Sequence, residues 1–427
     1  MTMRPSKYNY YIPYKGKYLF FNGISKKFFM VSNEHHKDIE HIICHPELYK
    51  KQYASFIQKV SAAKFIVEDD VDEVKEAQEI FISKRDTNVY KLMILPTYAC
   101  NLSCWYCVQK HRNLRLSPHA VDLIKRHIHY YLDKHKDISC LMLSWFGGEP
   151  LLAFDLIMDI SSYAQKVCKK NNVLFSNTIT TNATLLDKDK IEALKQVDMS
   201  FFQITLDGCK EEHDKVKHLQ GCSSYELILG NIKNLLEAIP QATCSLRFNY
   251  TDKNMDPQEF LDGINERIPA TLRKNIILSF KKVWQVDNGV IDQNKMDELF
   301  ERAKSYHYRM DTAANFAICY VECRHYNTVF PNGWVGKCDN VEPEMARGRL
   351  KEDGSILWGD ELAFWKHNSF VENESECFAC KYLPVCNGPC PVERDRMWHD
   401  FQEIKCRYSH PDGICRDRII RYCESFL

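Results

Sequence analysis

The sequence lacks the features of membrane, secreted and nucleic-acid-binding proteins. No apolar run approaches the ~18 residues of a membrane span, and the first residues lack the apolar core of a signal peptide. Positively and negatively charged side chains balance at 57 each, so no excess charge favours nucleic acid or an anionic membrane. There is no internal repeat and no low-complexity tract. These absences predict a cytoplasmic globular protein without a nucleic-acid or membrane partner.

Cysteine, in contrast, is abundant. The 427 residues include 19 cysteines, roughly three times ordinary usage. Without a signal peptide, metal binding explains them better than a disulfide framework, and the odd number also disfavours complete pairing. Ten of the 19 cysteines lie beyond residue 310, in a segment of loops with few apolar runs. That segment therefore needs metal, or something else besides an apolar core, to hold it together.

The chain divides into three segments by composition. Residues 1–88 carry short aromatic runs broken by turn residues, followed by two helical stretches at 33–45 and 47–61, and predict a small α+β domain. Residues 89–309 alternate strands and helices. Residues 310–427 predict a loop-rich domain that binds metal.

The middle segment predicts a parallel α/β sheet, either open or curled into a barrel. Its clearest helix begins at Ser117, an N-cap, and Pro118, a first helical position. Six apolar runs suit buried parallel strands: 91–96, 140–146, 174–181, 200–206, 243–250 and 275–280.

Three cysteines follow the first of these strands. Cys100, Cys104 and Cys107 have the spacing C-x3-C-x2-C and lie where α/β enzymes carry their chemistry, at the carboxyl edge of the sheet. Three thiolates from one loop hold three irons of a [4Fe–4S] cluster and leave the fourth iron open to a small molecule. A zinc site completed by His111 is the alternative.

Polar residues also follow the later strands. Gly147, Gly148 and Glu149 end the second strand, where two glycines allow close approach of a ligand and the carboxylate accepts from an ammonium. The other polar residues at strand ends are Thr181, Asn182, Thr205, Arg247 and Asn249. The strand ends therefore predict one polar rim around the cysteines.

In these motifs the chain resembles the radical S-adenosylmethionine (SAM) superfamily, over about residues 88–285. The resemblance implies a partial (β/α)6 barrel, with the open iron of the Cys100 loop binding the amino and carboxylate groups of SAM. It implies that the segment ending at Glu149 contacts the methionyl amine. Three further SAM contacts are implied at Thr181 with Asn182, at Thr205 and at Arg247. The sequence departs from the family at Ala183, where glycine is usual, and at Lys217, near which relatives carry arginine.

The C-terminal cysteines resemble the SPASM extension of that superfamily, which is named after peptide and sulfatase maturation. Its pattern is C-x9–15-G-x4-C, then C-x2-C-x5-C-x3-C, then a last cysteine, and every interval fits. The resemblance implies two auxiliary [4Fe–4S] clusters, three in all. One would be held by Cys319, Cys323, Cys338 and Cys390, and the other by Cys377, Cys380, Cys386 and Cys406. Cys415 and Cys423 compete with Cys406 for the last position.

The function implied is maturation of a ribosomally made peptide. A reductant such as ferredoxin or flavodoxin would reduce the first cluster, SAM would be cleaved, and the 5′-deoxyadenosyl radical would abstract hydrogen from the peptide to form a thioether or carbon–carbon crosslink. The N-terminal unit looks like the domains of such maturases that bind a leader peptide as an added strand.

Two alternatives remain. One is formylglycine formation as in anaerobic sulfatase maturases, where Asp339, directly after Cys338, would be the catalytic base. The other is a non-enzymatic electron carrier or zinc scaffold.

Overall fold

The computed structural model describes residues 2–251, 256–283, 285, 293–311, 316–359, 377, 380–393, 406 and 412–426. The chain packs into two compact units. One contains residues 1–87, 312–324 and 362–427, and the other, the barrel unit, contains 88–311 and 325–361. No described helix combines the length and the apolar character that a membrane crossing requires.

The described residues form strands and helices that are numbered here in chain order. The strands are β1 (Met3–Pro5), β2 (Asn9–Tyr14), β3 (Lys17–Asn22), β4 (Phe28–Ser32), β5 (Ile66–Glu68), β6 (Val89–Ile94), β7 (Cys140–Trp145), β8 (Leu174–Thr181), β9 (Met199–Leu206), β10 (Thr243–Tyr250), β11 (Ile276–Lys282), β12 (Arg309–Met310), β13 (Tyr326–Val329), β14 (Trp334–Gly336), β15 (Gly348–Leu350) and β16 (Ile356–Trp358). The helices are α1 (His36–Cys44), α2 (Pro46–Tyr49), α3 (Ala54–Ala62), α4 (Glu73–Arg85), α5 (Pro118–Lys134), α6 (Phe154–Asn171), α7 (Lys188–Gln196), α8 (Lys210–Val216), α9 (Ser224–Ala238), α10 (Pro257–Asn265), α11 (Ala270–Arg273), α12 (Gln293–Ser305), α13 (Leu383–Cys386) and α14 (Asp412–Glu424).

The barrel unit is built on one sheet in which β6 to β11 are parallel and lie in sequence order. All six predicted strands are present, and their order is that of a partial (β/α)6 barrel, as expected. The sheet continues beyond this core with β12 next to β11, and with β13 parallel to β6. Strands β14, β15 and β16 then extend it as an antiparallel ribbon.

Strand register brings the predicted site residues to neighbouring positions. Ile94, before the cysteine loop, pairs with Trp145, before the glycines. Thr181 pairs with Ile204, and Arg247 pairs with Thr205. Because parallel strands share one carboxyl edge, all of these segments leave the sheet on the same side.

The core of the barrel unit lies between the sheet and its helices. Helix α5 begins as predicted, with the Ser117 hydroxyl accepting from the backbone N–H of Ala120 at 3.2 Å. Its apolar face, including Ile124 and Ile128, is fully buried against the strands. This packing gives the loops at the carboxyl edge a rigid support.

The other unit joins the first and last parts of the chain in one core. The sheet β2-β3-β4 is antiparallel, and its residues Tyr10 and Phe21 are buried with Val385, Cys415 and Ile419. The aromatic N-terminal strands therefore supply apolar surface that the C-terminal cysteine segment lacks in its own sequence.

Helix α4 in this unit begins at the end of an acidic run, residues 68–73, and is not anticipated by the sequence analysis, whose two helical stretches end at residue 61. Asp72 in that run is its N-cap, accepting from the backbone N–H groups of Val74 and Lys75 at 3.1 and 3.0 Å. The domain boundaries after residues 88 and 309 stay predictions, and residues 325–361 of the predicted 310–427 segment pack with the barrel unit. Pairing of β13 with β6 is the physical reason.

Candidate active site

The cysteine loop follows β6 and forms one wall of a cavity at the carboxyl edge of the sheet. Cys100, Cys104 and Cys107 all line this cavity, which holds about 190 Å³. The loop is tight, because the backbone N–H of Cys107 donates to the carbonyl of Cys104 at 3.1 Å. The three thiols that the sequence brings together thus face one space.

Each thiol has a polar side chain within hydrogen-bonding distance. The Asn182 amide nitrogen lies 3.9 Å from Cys100 Sγ, and Lys217 Nζ lies 3.7 Å from Cys104 Sγ. His111 Nε2 lies 3.4 Å from Cys107 Sγ. Burial raises the pKa of Cys100 to about 11, and binding to a cation would remove these protons.

The two glycines pack against the cysteine loop. A Cβ atom at Gly148 would lie 2.1 Å from the carbonyl oxygen of Ala99, and one at Gly147 would lie 2.4 Å from that of Thr97. Gly147 also has a φ of +120°, which L side chains rarely adopt. Glycine is therefore required at both positions because this segment packs closely against the loop that carries Cys100. The approach of a ligand would be a second reason.

Glu149 is enclosed behind the cavity wall. Its side chain is fully buried, and the carboxylate accepts from Leu151 N at 2.9 Å, Thr181 Oγ1 at 2.7 Å and Asn182 N at 2.8 Å. Burial raises its pKa to about 7. The carboxylate therefore joins the end of β8 to the glycine segment, and the methionyl-amine contact expected of it stays a prediction.

The remaining predicted SAM contacts line the same cavity: Gly147, Gly148, Thr181, Asn182, Thr205 and Arg247. Ala183, which replaces the usual glycine, has a φ of +60°, the conformation that glycine adopts at no steric cost. Asn249 accepts at its Oδ1 from Arg247 Nε at 2.9 Å, which leaves the guanidinium NH2 groups for other partners.

Sequence reasoning missed several residues of the cavity wall. Gln109, Tyr106 and Lys282 line it, and the Gln109 amide nitrogen is buried without a hydrogen-bond partner. Lys217, which the sequence analysis noted only as a departure from the family, is buried beside Cys104 and paired with Asp207 at 2.8 Å. No sequence spacing joins Lys217 to Cys104, so only the fold could reveal this contact.

These residues fit a cluster and SAM. Three thiols share one wall, an unpartnered amide donor points to the need for a ligand, and cationic Arg247 and Lys282 suit a carboxylate. No three His, Cys, Asp or Glu side chains in the described part of the chain converge as a single metal ion requires. A four-iron cluster differs in that each thiolate binds a separate iron.

The predicted auxiliary ligands are divided between the two units. Cys338 belongs to the barrel unit, and Cys319, Cys323, Cys377, Cys380, Cys386, Cys390 and Cys406 belong to the other. In the latter, the backbone N–H of Cys380 donates to the Cys377 carbonyl at 3.1 Å. A hydrogen bond from the buried Cys415 thiol lowers the pKa of Cys386 to about 6. The ligand sets stay predictions, and the Cys415 thiol contacts Cys386.

Asp339 is half-buried on the segment after β14 and is not among the described residues that line the cavity. Its charge acts on Tyr98 in the cysteine loop, where burial, Glu342 and Asp339 all raise the pKa of the phenol. Arg112 holds the neighbouring segment by donating to Glu342 and Glu344, both at 2.8 Å. Asp339 thus lies close to the cysteine loop without facing the cavity.

Comparison with known proteins supports the family that the motifs indicate. Residues 94–263 match the Radical SAM superfamily. The chain is 23% identical over 348 residues to the Fe-coproporphyrin III synthase of Methanosarcina barkeri, across 71% of this chain and 83% of the relative. Identity and coverage are the same for the serine-type anaerobic sulfatase-maturating enzyme of Bacteroides thetaiotaomicron.

A solved structure has the same fold. Native anSMEcpe with bound AdoMet and the Kp18Cys peptide superposes with a TM-score of 0.56 at 16% identity, covering 79% of this chain and 98% of that one. The family match over residues 94–263 includes the cysteine loop and the strand ends that surround the cavity. Residues 94–263 therefore form a Radical SAM domain, and the chain is an enzyme that carries this domain.

Proposed function

We propose that this enzyme is a peptide maturase that crosslinks a ribosomally made peptide. The observation that carries the proposal is the single cavity in which three thiols meet the polar ends of the neighbouring strands. When bound there, a [4Fe–4S] cluster and SAM supply the 5′-deoxyadenosyl radical that abstracts hydrogen from the peptide.

Cys100, Cys104 and Cys107 would hold the cluster. Asn182 and Lys217 donate hydrogen bonds to the sulfurs of Cys100 and Cys104, and the His111 ring shares a hydrogen bond with the Cys107 thiol. Hydrogen bonds to ligand sulfurs are among the features by which proteins adjust an iron–sulfur cluster. The loop is therefore suited to hold a cluster in one orientation toward the cavity.

The strand ends would hold SAM. Arg247 and Lys282 offer positive charge to its carboxylate, and Thr181, Asn182 and Thr205 offer polar groups. Gly147 and Gly148 leave room because they carry no side chain. Glu149 would act through Thr181 and Asn182, which it fixes by hydrogen bonds.

A peptide substrate is supported by what related proteins act on or contain. The Bacteroides relative is named for sulfatase maturation, and the anSMEcpe structure contains a peptide. The Methanosarcina relative is named for porphyrin synthesis at the same identity, so similarity to it leaves the substrate class open. A second cavity in this chain, lined in part by β2, supports a peptide substrate.

This second cavity lies in the unit that contains β2. It holds about 320 Å³ and is lined by Asn9 to Ile12 of β2, by α1 residues and by Lys381 and Arg416. Among the described strands β2 pairs only with β3, so its other edge is available for strand addition. Lys37, Lys381 and Arg416 outnumber the acidic lining residues, which favours an acidic leader peptide.

The auxiliary clusters complete the proposal. Cys377, Cys380 and Cys386 would hold one of them with a fourth cysteine, and the set with Cys338 would hold the other. They would pass on the electron left when the substrate radical is oxidised, and a ferredoxin or flavodoxin would supply electrons to the first cluster.

Formylglycine formation is the second candidate, and similarity to a sulfatase-maturating enzyme favours it. Asp339 would then take the substrate proton. The two reactions differ in product, because formylglycine contains an aldehyde that reacts with hydrazides whereas a crosslink does not.

The test uses anaerobically reconstituted full-length protein and a precursor peptide encoded next to its gene. We expect about twelve irons, from three four-iron clusters, SAM-dependent 5′-deoxyadenosine, and a peptide product that is crosslinked by tandem mass spectrometry. Replacing Cys100, Cys104 and Cys107 with Ala should remove about four irons and all SAM cleavage. An aldehyde product would support formylglycine formation, and SAM cleavage by the triple variant would refute the assignment of the cluster.

A further inference from the structure

A buried ionic network lies directly against the cysteine loop. Lys217 Nζ donates to Asp207 Oδ2 at 2.8 Å, to the Tyr106 hydroxyl at 2.8 Å and to Cys104 Sγ at 3.7 Å. Asn249 donates to the other oxygen of Asp207 at 3.2 Å. The three N–H groups of the ammonium are thus all engaged, and one of them points to a sulfur atom.

The network is closed to solvent. The Lys217 and Asp207 side chains are 2% and 1% exposed. Lys217 Nζ lies 2.8 Å from Asp207 Oδ2, so the two side chains form a buried ion pair beside the cysteine loop.

The backbone around Lys217 is held firmly by the His213-Asp214 pair. His213 Nδ1 accepts from Asp207 N at 3.0 Å, and the Lys217 N–H donates to the His213 carbonyl at 2.7 Å. Asp214 accepts from Ser224 Oγ and Tyr225 N, both at 2.9 Å. The backbone from which the Lys217 side chain extends is therefore fixed, and the ammonium itself is held by Asp207 and Tyr106.

Of the two charged groups, Lys217 is the one that contacts the thiol. Its Nζ donates to Cys104 Sγ at 3.7 Å, whereas the carboxylate of Asp207 accepts from Lys217, Tyr106 and Asn249. An isolated buried ion pair contributes little net stability because of the cost of desolvation. Stability alone therefore does not explain the pair, whereas a role at the cysteine loop does.

We propose that Lys217 is a positioning residue that makes the cluster on Cys100, Cys104 and Cys107 easier to reduce, with Asp207 moderating its effect. Reduction adds negative charge to a cluster, and a nearby cation that donates to a ligand sulfur stabilises the reduced form. This inference rests on the proposed cluster ligands.

The test is a redox titration of the reconstituted full-length enzyme. The titration is monitored through the electron paramagnetic resonance signal that changes when SAM is added. Lys217→Met should lower the midpoint potential by at least 59 mV, which is a tenfold shift in the ratio of reduced to oxidised cluster for one electron. Lys217→Arg should stay close to the wild-type value. Lys215→Met serves as the matched control, because Lys215 lies two residues before Lys217, at the end of α8, but is exposed and paired with Glu212 at 2.7 Å.

A second variant covers the case in which Lys217→Met fails to fold because Asp207 is left unpaired. Lys217→Met/Asp207→Asn removes both charges. We expect its potential to fall, because the ammonium that donates to Cys104 is lost, but to fall by less than that of Lys217→Met, because the opposing charge of Asp207 is lost as well. An unchanged potential in a folded variant with normal iron content would overturn the role of Lys217. Absence of a SAM-responsive signal from the wild-type enzyme would instead refute the proposed cluster site.

Discussion

Replacing Glu149 with glutamine tests whether this residue holds the site together or contacts SAM. The carboxylate accepts three hydrogen bonds, from Leu151, Thr181 and Asn182, in a fully buried position. Glutamine has the same shape but presents an N–H2 group in place of one oxygen. At least one of the three donors would then face another donor.

The magnitude follows from that lost hydrogen bond. A buried donor without a partner costs about 1–3 kcal/mol, and two donors that face each other add repulsion. We therefore expect Glu149→Gln to lower the free energy of unfolding by about 2 kcal/mol or more near pH 6. SAM binding should weaken as a consequence, because Thr181 and Asn182 lose their common acceptor.

The effect should depend on pH. Burial raises the pKa of Glu149 from 4.5 to about 7 in the folded protein, so the folded state binds the proton more tightly than the unfolded state. The stability associated with this proton is fully present below about pH 4.5 and is lost as the pH rises through about 7, a change of about 3 kcal/mol. Glutamine does not titrate, so the difference between wild type and variant should shrink from pH 5 to pH 8.

The assay is urea unfolding followed by tryptophan fluorescence at several pH values, with SAM binding measured by calorimetry. Glu237→Gln is the control, since Glu237 is exposed and its pair with Lys233 is long at 3.9 Å, and its effect should stay within about 0.5 kcal/mol. Unchanged unfolding with SAM affinity reduced more than tenfold would refute the structural role and support direct contact with SAM.

Three further predictions concern the other parts of the molecule. Lys37→Glu in the β2 cavity should weaken binding of an acidic leader peptide about fivefold, measured by fluorescence anisotropy, while SAM cleavage without peptide is retained; unchanged binding would exclude this cavity as the leader site. Cys415→Ser should remove about four irons, because the Cys415 thiol contacts Cys386, whereas loss of iron only in Cys406→Ser would restore Cys406 as the fourth ligand. If the reaction is formylglycine formation, Asp339→Asn should keep iron and SAM cleavage while product formation, followed by mass spectrometry, falls ~100-fold or more; near-normal product yield would show that Asp339 is no general base.

The sequence was sufficient for the sheet and for the cysteine loop. Buried parallel strands are continuous apolar runs, so their positions are readable locally, and the six predicted strands lie within a few residues of β6 to β11. The spacing of Cys100, Cys104 and Cys107 is equally local, because one loop carries all three. The polar strand ends followed from a general rule, since parallel strands share one edge.

The sequence was not sufficient for contacts between distant segments. Nothing in the composition of residues 1–88 shows that Tyr10 and Phe21 pack with Val385 and Ile419. A deletion of the N-terminal segment would therefore expose part of the core around the C-terminal cysteines, and a point variant such as Lys37→Glu is the cleaner test. Pairing of β13 with β6, which moves residues 325–361 into the barrel unit, was invisible for the same reason.

What the sequence by itself determined is the chemistry: the thiols, their spacing, and a set of polar side chains at strand ends. What only the tertiary structure decided is how those groups are arranged and charged. Glu149 is a buried acceptor for the end of β8. Lys217 lies 3.7 Å from Cys104, although more than a hundred residues separate the two along the chain. Hydrogen bonds and burial depend on distance in space, and separation along the chain does not specify that distance.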